Sequence, residues 1–244
     1  MKKKKIIVVI GVLLIIVLAG LITSYIDGGR VSNGHEPKCT IKITSKDGSK
    51  VTYWGLGYKV VRYVSVSPSE PYKNNRGVKM GSWFMKYELV STINSVDDFY
   101  KTVLTQYNDI RDLSENYSTS DAKKDNCYVI GSSVNDKLFS GFTSKYNKKK
   151  DAFVRVVHST TEGDVIITDV LYDSINDKVH IVTDSTRDKY ASLEDRTIKY
   201  QSYEKISVWF HGDVRYWVAY NGTLPDSEVD ETDDENFFII TSLD

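Results

Sequence analysis

Two cysteines, four histidines and two short runs mixing carboxylates with hydroxyls are the side chains here that could carry chemistry. Cys127 and His158 could meet on neighbouring strands as nucleophile and base. Both stand in apolar, strand-like surroundings, where a thiol packs and stays inert. The run Asp184-Ser185-Thr186-Arg187-Asp188 and the triplet Glu162-Gly163-Asp164 place carboxylates around an arginine, a set able to hold a polyol or a cation. The same residue types also build turns by bonding local backbone, and both readings stand at this level. His35, His158, His180 and His211 share no zinc-like spacing with each other or with the cysteines, so no metal centre is expected. Asp226 to Asp233 has the acid density of a calcium loop, yet Glu231 occupies the position of the turn glycine and Phe237 that of the final glutamate. Gly55-Leu56-Gly57 lacks the third glycine of a dinucleotide fingerprint and lies between strand-like arms, so no cofactor is expected.

A second kind of chemistry is recognition. Between Lys50 and Glu88 lie seven Lys or Arg, two Glu and eight aromatic residues. Trp54, Tyr58, Arg62 and Trp83 from this stretch, with Asp184, Arg187 and Asp188, form the candidate ligand-binding set. Rings stack and cations pair with phosphate, which suits an anionic wall polymer, a glycan or lipid headgroups. Aromatic rings also dominate cores, and packing accounts for the same composition.

The elements that must position these residues follow from periodicity. Ile41 and Ile43, the Asp47-Gly48 turn signal, then Val51 and Tyr53 and the run after Val60 alternate as a hairpin. Trp83 to Val90 reads as a further strand. Ser95 with Asp98 resembles a capping box, and Val96, Phe99, Tyr100, Val103, Leu104, Tyr107 and Ile110 recur at helical steps behind it. This predicts a ββ-βα module over 39–113. Ser114 to Asp125 is polar and aperiodic, a linker. Over 126–222 a short strand at Cys127 to Ile130 and a helix from Val134 to Tyr146 precede strand-like runs at 153–159, 165–172, 178–182, 197–210 and 214–220. Glu162-Gly163-Asp164 and His211-Gly212-Asp213 close two hairpins. The expected class is α+β, with a βα-antiparallel-meander as its second module. Residues 223–244 form an acidic tail, with seven acidic and no basic residues from Asp226 to Glu235.

The beginning of the chain places all of this. Residues 1–5 carry Lys2, Lys3, Lys4 and Lys5, and 6–26 is an uncharged run with fourteen branched aliphatic residues between Ile6 and Ile22. Twenty-one helical residues reach about 31 Å, the thickness of a bilayer core. A transmembrane helix is expected, with the lysines cytoplasmic and the bulk of the chain extracytoplasmic at the cell membrane. Val17-Leu18-Ala19 is a passable cleavage site, but the apolar run is longer than that of a signal peptide and continues through Leu21 and Ile22. Residues 27–38 (DGGRVSNGHEPK) read as a flexible tether. Cys39 and Cys127 are expected to be buried, reduced thiols, with a disulfide as the alternative an oxidising exterior permits. The net charge of −1 gives no nucleic-acid footprint.

One family resemblance accompanies this reading. Asn135-Asp136-Lys137-Leu138-Phe139, Phe153 to Asp164 (FVRVVHSTTEGD) and Thr183 to Tyr190 (TDSTRDKY) make residues 126 to 220 similar to the domain of unknown function 4362. The chain departs from that pattern at Val165, where the family often has proline, and at Ser174-Ile175-Asn176, which lengthens a turn. The resemblance implies a membrane-bound or secreted setting in Gram-positive bacteria and no assigned activity. The function expected is thus a membrane-anchored, non-catalytic binding or interaction module at the cell envelope, with the membrane and an anionic wall polymer or another envelope protein as partners. The alternative is an envelope hydrolase or thiol-dependent enzyme.

Overall fold

The computed structural model describes residues 2–46, 50–64, 76–89, 93–103, 107–131, 136–224 and 236–242. The expected Asp47-Gly48 turn, Leu104, Val134 and the acidic run from Asp226 to Glu235 lie outside the described residues. The architecture is mixed helix and antiparallel sheet, α+β as expected, in two compact units, Met1–Val90 and Ser91–Asp244.

The first unit consists of helix α1 (Lys2–Ser32) and a four-stranded antiparallel meander: β1 (Ile41–Thr44), β2 (Lys50–Trp54), β3 (Tyr58–Tyr63) and β4 (Gly77–Ser82). A single sheet buries its apolar face against another element. Tyr53, Val60 and Met80 lie side by side across the sheet, and Val51, Arg62 and Val78 form the next row. Val31 of α1 packs on Val51, Tyr53 and Val60, so the far end of the helix is the lid of this small core. The expected tether is thereby corrected: 27–32 is helix, continuous with the apolar run. Residues 83–89, expected as strand, belong to no strand, and β4 lies before them. Trp83 enters a turn closed by Met85 N–H donating to the Ser82 carbonyl at 2.9 Å. The chain then returns over the opposite face, where the Tyr63 hydroxyl donates to the Tyr87 carbonyl at 3.0 Å.

The second unit is built on a five-stranded sheet of β5 (Tyr128–Val129), β6 (Ala152–Ser159), β7 (Val165–Asp173), β8 (Lys178–Asp184) and β9 (Ile198–Tyr203), in that order. β5 pairs with β6 in parallel and the others are antiparallel. Strands β6 to β8 are buried on both faces, and apolar residues accordingly stand on both of their faces. One face is covered by α4 (Asp136–Asn147), through Phe139 and Phe142, together with a three-stranded sheet of β10 (Lys205–His211), β11 (Val214–Tyr220) and β12 (Phe237–Ser242). The other face is covered by α2 (Val96–Thr102), a 3-10 turn at Ile110–Asp112 and α3 (Thr119–Lys124).

Four further expectations are corrected here. Ser95 is the N-cap of α2, its side chain accepting from the Asp98 N–H, but α2 stops at Thr102, and its Phe99 packs in the second unit and not on the preceding strands. The expected linker 114–125 contains α3, whose Ala122 is fully buried beside Cys127. The run 197–210 is two strands in two sheets, divided at Glu204. The tail closes in β12, which pairs with β11.

Candidate functional site

In the first unit the chemistry gathers where α1 leaves its apolar run. Asp27 is fully buried. Its carboxylate accepts from the backbone N–H of Lys38 at 2.8 Å, from that of Cys39 at 3.0 Å and from the Tyr58 hydroxyl at 2.6 Å. These donors are neutral, two backbone dipoles and a phenol. Burial and the neighbouring Asp27 both push the Tyr58 hydroxyl pKa up, so this phenol stays a proton donor at any physiological pH. The link ties helix, loop and β3 together. Around it, Trp83 Nε1 donates to the Gly55 carbonyl at 2.7 Å, and the Lys59 ammonium sits 5.0 Å from the Trp54 ring centre. Nearby, Lys42 pairs with Glu36 at 3.1 Å. Burial opposes ionisation of Glu36, but the Lys42 and Tyr53 hydrogen bonds hold its carboxyl below the usual range.

In the second unit the centre of the sheet holds Arg155 on β6 and Asp169 on β7, paired in register and both buried. Two parallel bonds of 2.6 and 2.7 Å join them, and Arg155 also donates to the Asn108 carbonyl at 2.7 Å. The Tyr100 hydroxyl of α2 donates to the same carboxylate. Burial works against the guanidinium charge, but Asp169 more than offsets it, and the Arg155 pKa rises. Arg187 repeats this at the sheet's end: it pairs with Asp184 and donates to the carbonyls of Leu113 at 2.8 Å and Ser114 at 2.9 Å. These two arginines pin the segment between α2 and α3 to the sheet.

A polar cleft of about 300 Å³ opens beside α4. Lys137 and Lys145 stand at its rim, Asp125 and Asn126 on one wall, and Tyr107 and Phe153 form its apolar side.

The seven residues singled out from sequence separate into three kinds. Trp54 and Trp83 are partly exposed and lie at one end of the first sheet, near Tyr58, which is buried and committed to Asp27. Arg62 is buried in the row between Val51 and Val78. Asp184 and Arg187 are a buried pair, and Asp188 caps a turn, accepting from the N–H groups of Tyr190 and Ala191 at 3.1 Å each. The turn chemistry weighed at the outset thus describes the Asp184 to Asp188 run. Sequence reasoning missed Asp27, Arg155 and Asp169. Asp27 carried one signal, a lone carboxylate directly after a membrane-length apolar run. Arg155 and Asp169 carried another, opposite charges facing each other across a predicted hairpin of otherwise apolar strands.

The cysteines differ. Cys39 is exposed, which corrects the expectation that both are buried, and Cys127 is buried; both are thiols. Burial raises the Cys127 pKa to about 11, with the Tyr117 hydroxyl 3.7 Å from its sulfur. Such a thiol is protonated and weakly nucleophilic at neutral pH.

A search of curated proteins and a search of solved structures each found no match. The identity that can be stated is that of a segment: residues 123–210, which hold β5, α4, β6 to β9 and most of β10 and include the Arg155 and Asp169 pair, match the family described as Domain of unknown function (DUF4362).

Proposed function

We propose that this protein is a membrane-anchored, extracytoplasmic binding module, in which α1 is a retained anchor and the DUF4362 segment presents the ligand-facing surface. The observation that carries this reading is the continuity of α1. One apolar helix, long enough to cross a membrane, runs without a break into the lid of a folded sheet. Cleavage after Ala19 would cut immediately before Gly20, where an added Cβ would lie 2.7 Å from the Leu56 carbonyl oxygen. The bond that would be cut is thus held against the folded sheet. The four lysines before the run favour a cytoplasmic start. The cleft beside α4 offers an anionic polymer two lysines and aromatic faces against the single carboxylate of Asp125. The raised Cys127 pKa argues against the thiol-enzyme alternative.

The test is the fate of the chain in cells. Protein recovered from a carbonate-washed membrane fraction should retain residues 1–19 by intact mass, and protease added to protoplasts should digest the bulk of it. Recovery from the medium with Gly20 as first residue would defeat the anchor reading. Turnover of a wall substrate by the purified protein would defeat the non-catalytic one.

A further inference from the structure

We infer that the helix-side end of the first sheet is itself seated in the bilayer that α1 crosses, as a second, non-spanning contact with acyl chains and phosphate headgroups. The inference rests on the anchor reading above and adds what that reading leaves open, namely how deep the folded part sits.

Depth follows from the position of Gly20. It is the fifteenth residue after Lys5, so at 1.5 Å per residue it stands about 22 Å above the inner lysines, inside a hydrocarbon core of about 30 Å. Leu56, at the tip between β2 and β3, touches the helix there: its carbonyl oxygen would be 2.7 Å from a Cβ on Gly20 and its Cγ 3.6 Å. A helix long enough to span therefore carries the hairpin tip down with it, several ångströms below the outer edge of the core. Any side chain longer than hydrogen at position 20 would hold the tip away.

The end of the sheet that meets Gly20 is apolar and, among the described residues, exposed. Register places Ile41 beside Trp54 at this end, and Ser82 beside Tyr58 brings Trp83 and Phe84 to it. Ile41 is 71% exposed, Trp83 44% and Phe84 90%. Tyr25, five residues further along the helix and so near the outer edge of the core, is 86% exposed. Tryptophan and tyrosine concentrate at the boundary between headgroups and hydrocarbon, where a ring has one apolar and one wet side. Two of the tip's backbone groups, both of Gly55, are paired as groups entering lipid need to be. Gly55 N–H donates to the Tyr58 carbonyl at 2.9 Å, and the Gly55 carbonyl accepts from the Trp83 indole. Lys59, against the Trp54 ring, sits one residue back along β3, placed to reach a phosphate while its stem stays among apolar groups. Between helix and tip runs an apolar groove of about 310 Å³ lined by Val17, Gly20, Leu21, Leu56 and Trp83. It is continuous with the lipid-facing side of the span, so an acyl chain fits it.

The experiment uses the full chain with Cys39→Ser, carrying one added cysteine at a time: Leu14→Cys, Leu56→Cys, Phe84→Cys or Asn33→Cys. Each is labelled with a nitrobenzoxadiazole dye and reconstituted into phosphatidylcholine and phosphatidylglycerol vesicles containing acyl-chain nitroxide lipids. Labels at 56 and 84 should shift to the blue and lose emission to nitroxides near the lipid carbonyls. The label at 14 should lose emission to nitroxides near the chain ends, and the label at 33, thirteen residues beyond Gly20, should lose none. If 14 is quenched while 56 and 84 respond only to aqueous iodide, the anchor stands and the seated tip is wrong. Were 14 also open to iodide, both readings would fall. Shielding of 56 and 84 from iodide without lipid quenching would assign the patch to a second copy of the chain and overturn the proposal.

Discussion

Each unit of this protein buries an aspartate against a tyrosine, and the two do it differently. In the second unit Asp169 has a full countercharge in Arg155, delivered by two bonds across adjacent strands, with Tyr100 as a third donor. In the first unit Asp27 has two backbone N–H groups and Tyr58. An ion pair between neighbouring strands tightens a sheet that already exists. A carboxylate gripped by the backbone of a distant loop fixes the position of that backbone, and here it makes a stalk from what would be a tether. The difference is one of purpose: Arg155 and Asp169 hold a core, and Asp27 transmits the orientation of a helix to a fold.

The largest effect should come from splitting the charged pair. Arg155→Leu leaves Asp169 buried without its countercharge, and breaking such a pair costs about 3–5 kcal/mol. The double replacement Arg155→Leu with Asp169→Leu should recover most of that loss, since apolar residues substitute for buried pairs at little net cost. Hydrogen exchange on the full chain, resolved by peptide, would read the loss over residues 91–244 and leave α1 and β1 to β4 unchanged. A single replacement costing under about 1 kcal/mol would mean that the pair behaves as an exposed one.

Asp27 should cost less in energy and more in geometry. Asp27→Ala removes the acceptor of two backbone N–H groups and a hydroxyl; Lys38 and Cys39 are exposed to water and the Tyr58 hydroxyl keeps the Thr23 and Cys39 carbonyls at 3.3 and 3.4 Å, so about 1–3 kcal/mol in all is expected. Exchange should rise at residues 27–32, at Lys38 and at Cys39, while the apolar run stays protected by lipid. Tyr58→Phe removes one donor and leaves the two backbone bonds, so about 1 kcal/mol is expected, with the helix still continuous to Ser32. Equal exchange in wild type and Asp27→Ala would show that the packing of Val31 and Gly28 on the sheet suffices alone.

The same contrast explains what could be read from sequence. The apolar run, the α+β order, the β6 to β7 and β10 to β11 hairpins and the DUF4362 resemblance were legible because each is local, encoded in period, turn glycine or motif. The continuation of α1 was hidden by Gly28 and Gly29, each about 1 kcal/mol worse than alanine in a helix. Tertiary contact overrides that cost: Asp27 locks the backbone, and Gly28 lies over Met80. The allotment of α2 and α3 was hidden for a related reason. The apolar stripe of α2 says that it is covered and not by what, and α3, with Ala122 as its one apolar residue, carries no stripe at all. The sign was elsewhere, in β6 to β8, whose apolar residues fall on both faces and need a layer on each, while α4 and the second sheet serve only one. In the candidate site, the aromatic end of the first sheet was visible as composition. Asp27 was not, since its meaning depends on Tyr58 thirty-one residues away.

The smallest effect sharpens the comparison through pH. His158 on β6 has its pKa lowered by burial, so it stays neutral in the fold at values where the unfolded chain, titrating near about 6.5, already binds a proton. Wherever the unfolded state binds more protons, stability rises with pH, so the second unit should weaken as pH falls through about 6.5 and level off below the folded value. The first unit's shifted acid, Glu36, has a lowered pKa, so the stability it contributes is lost only at more acid pH, as the fall passes below the usual carboxylate range. Between pH 7.5 and 5.5, then, exchange-derived stability should decline over 91–244, and His158→Gln should flatten the slope by the His158 share. An equal decline in both units, untouched by His158→Gln, would place the titrating group elsewhere and remove this distinction between them.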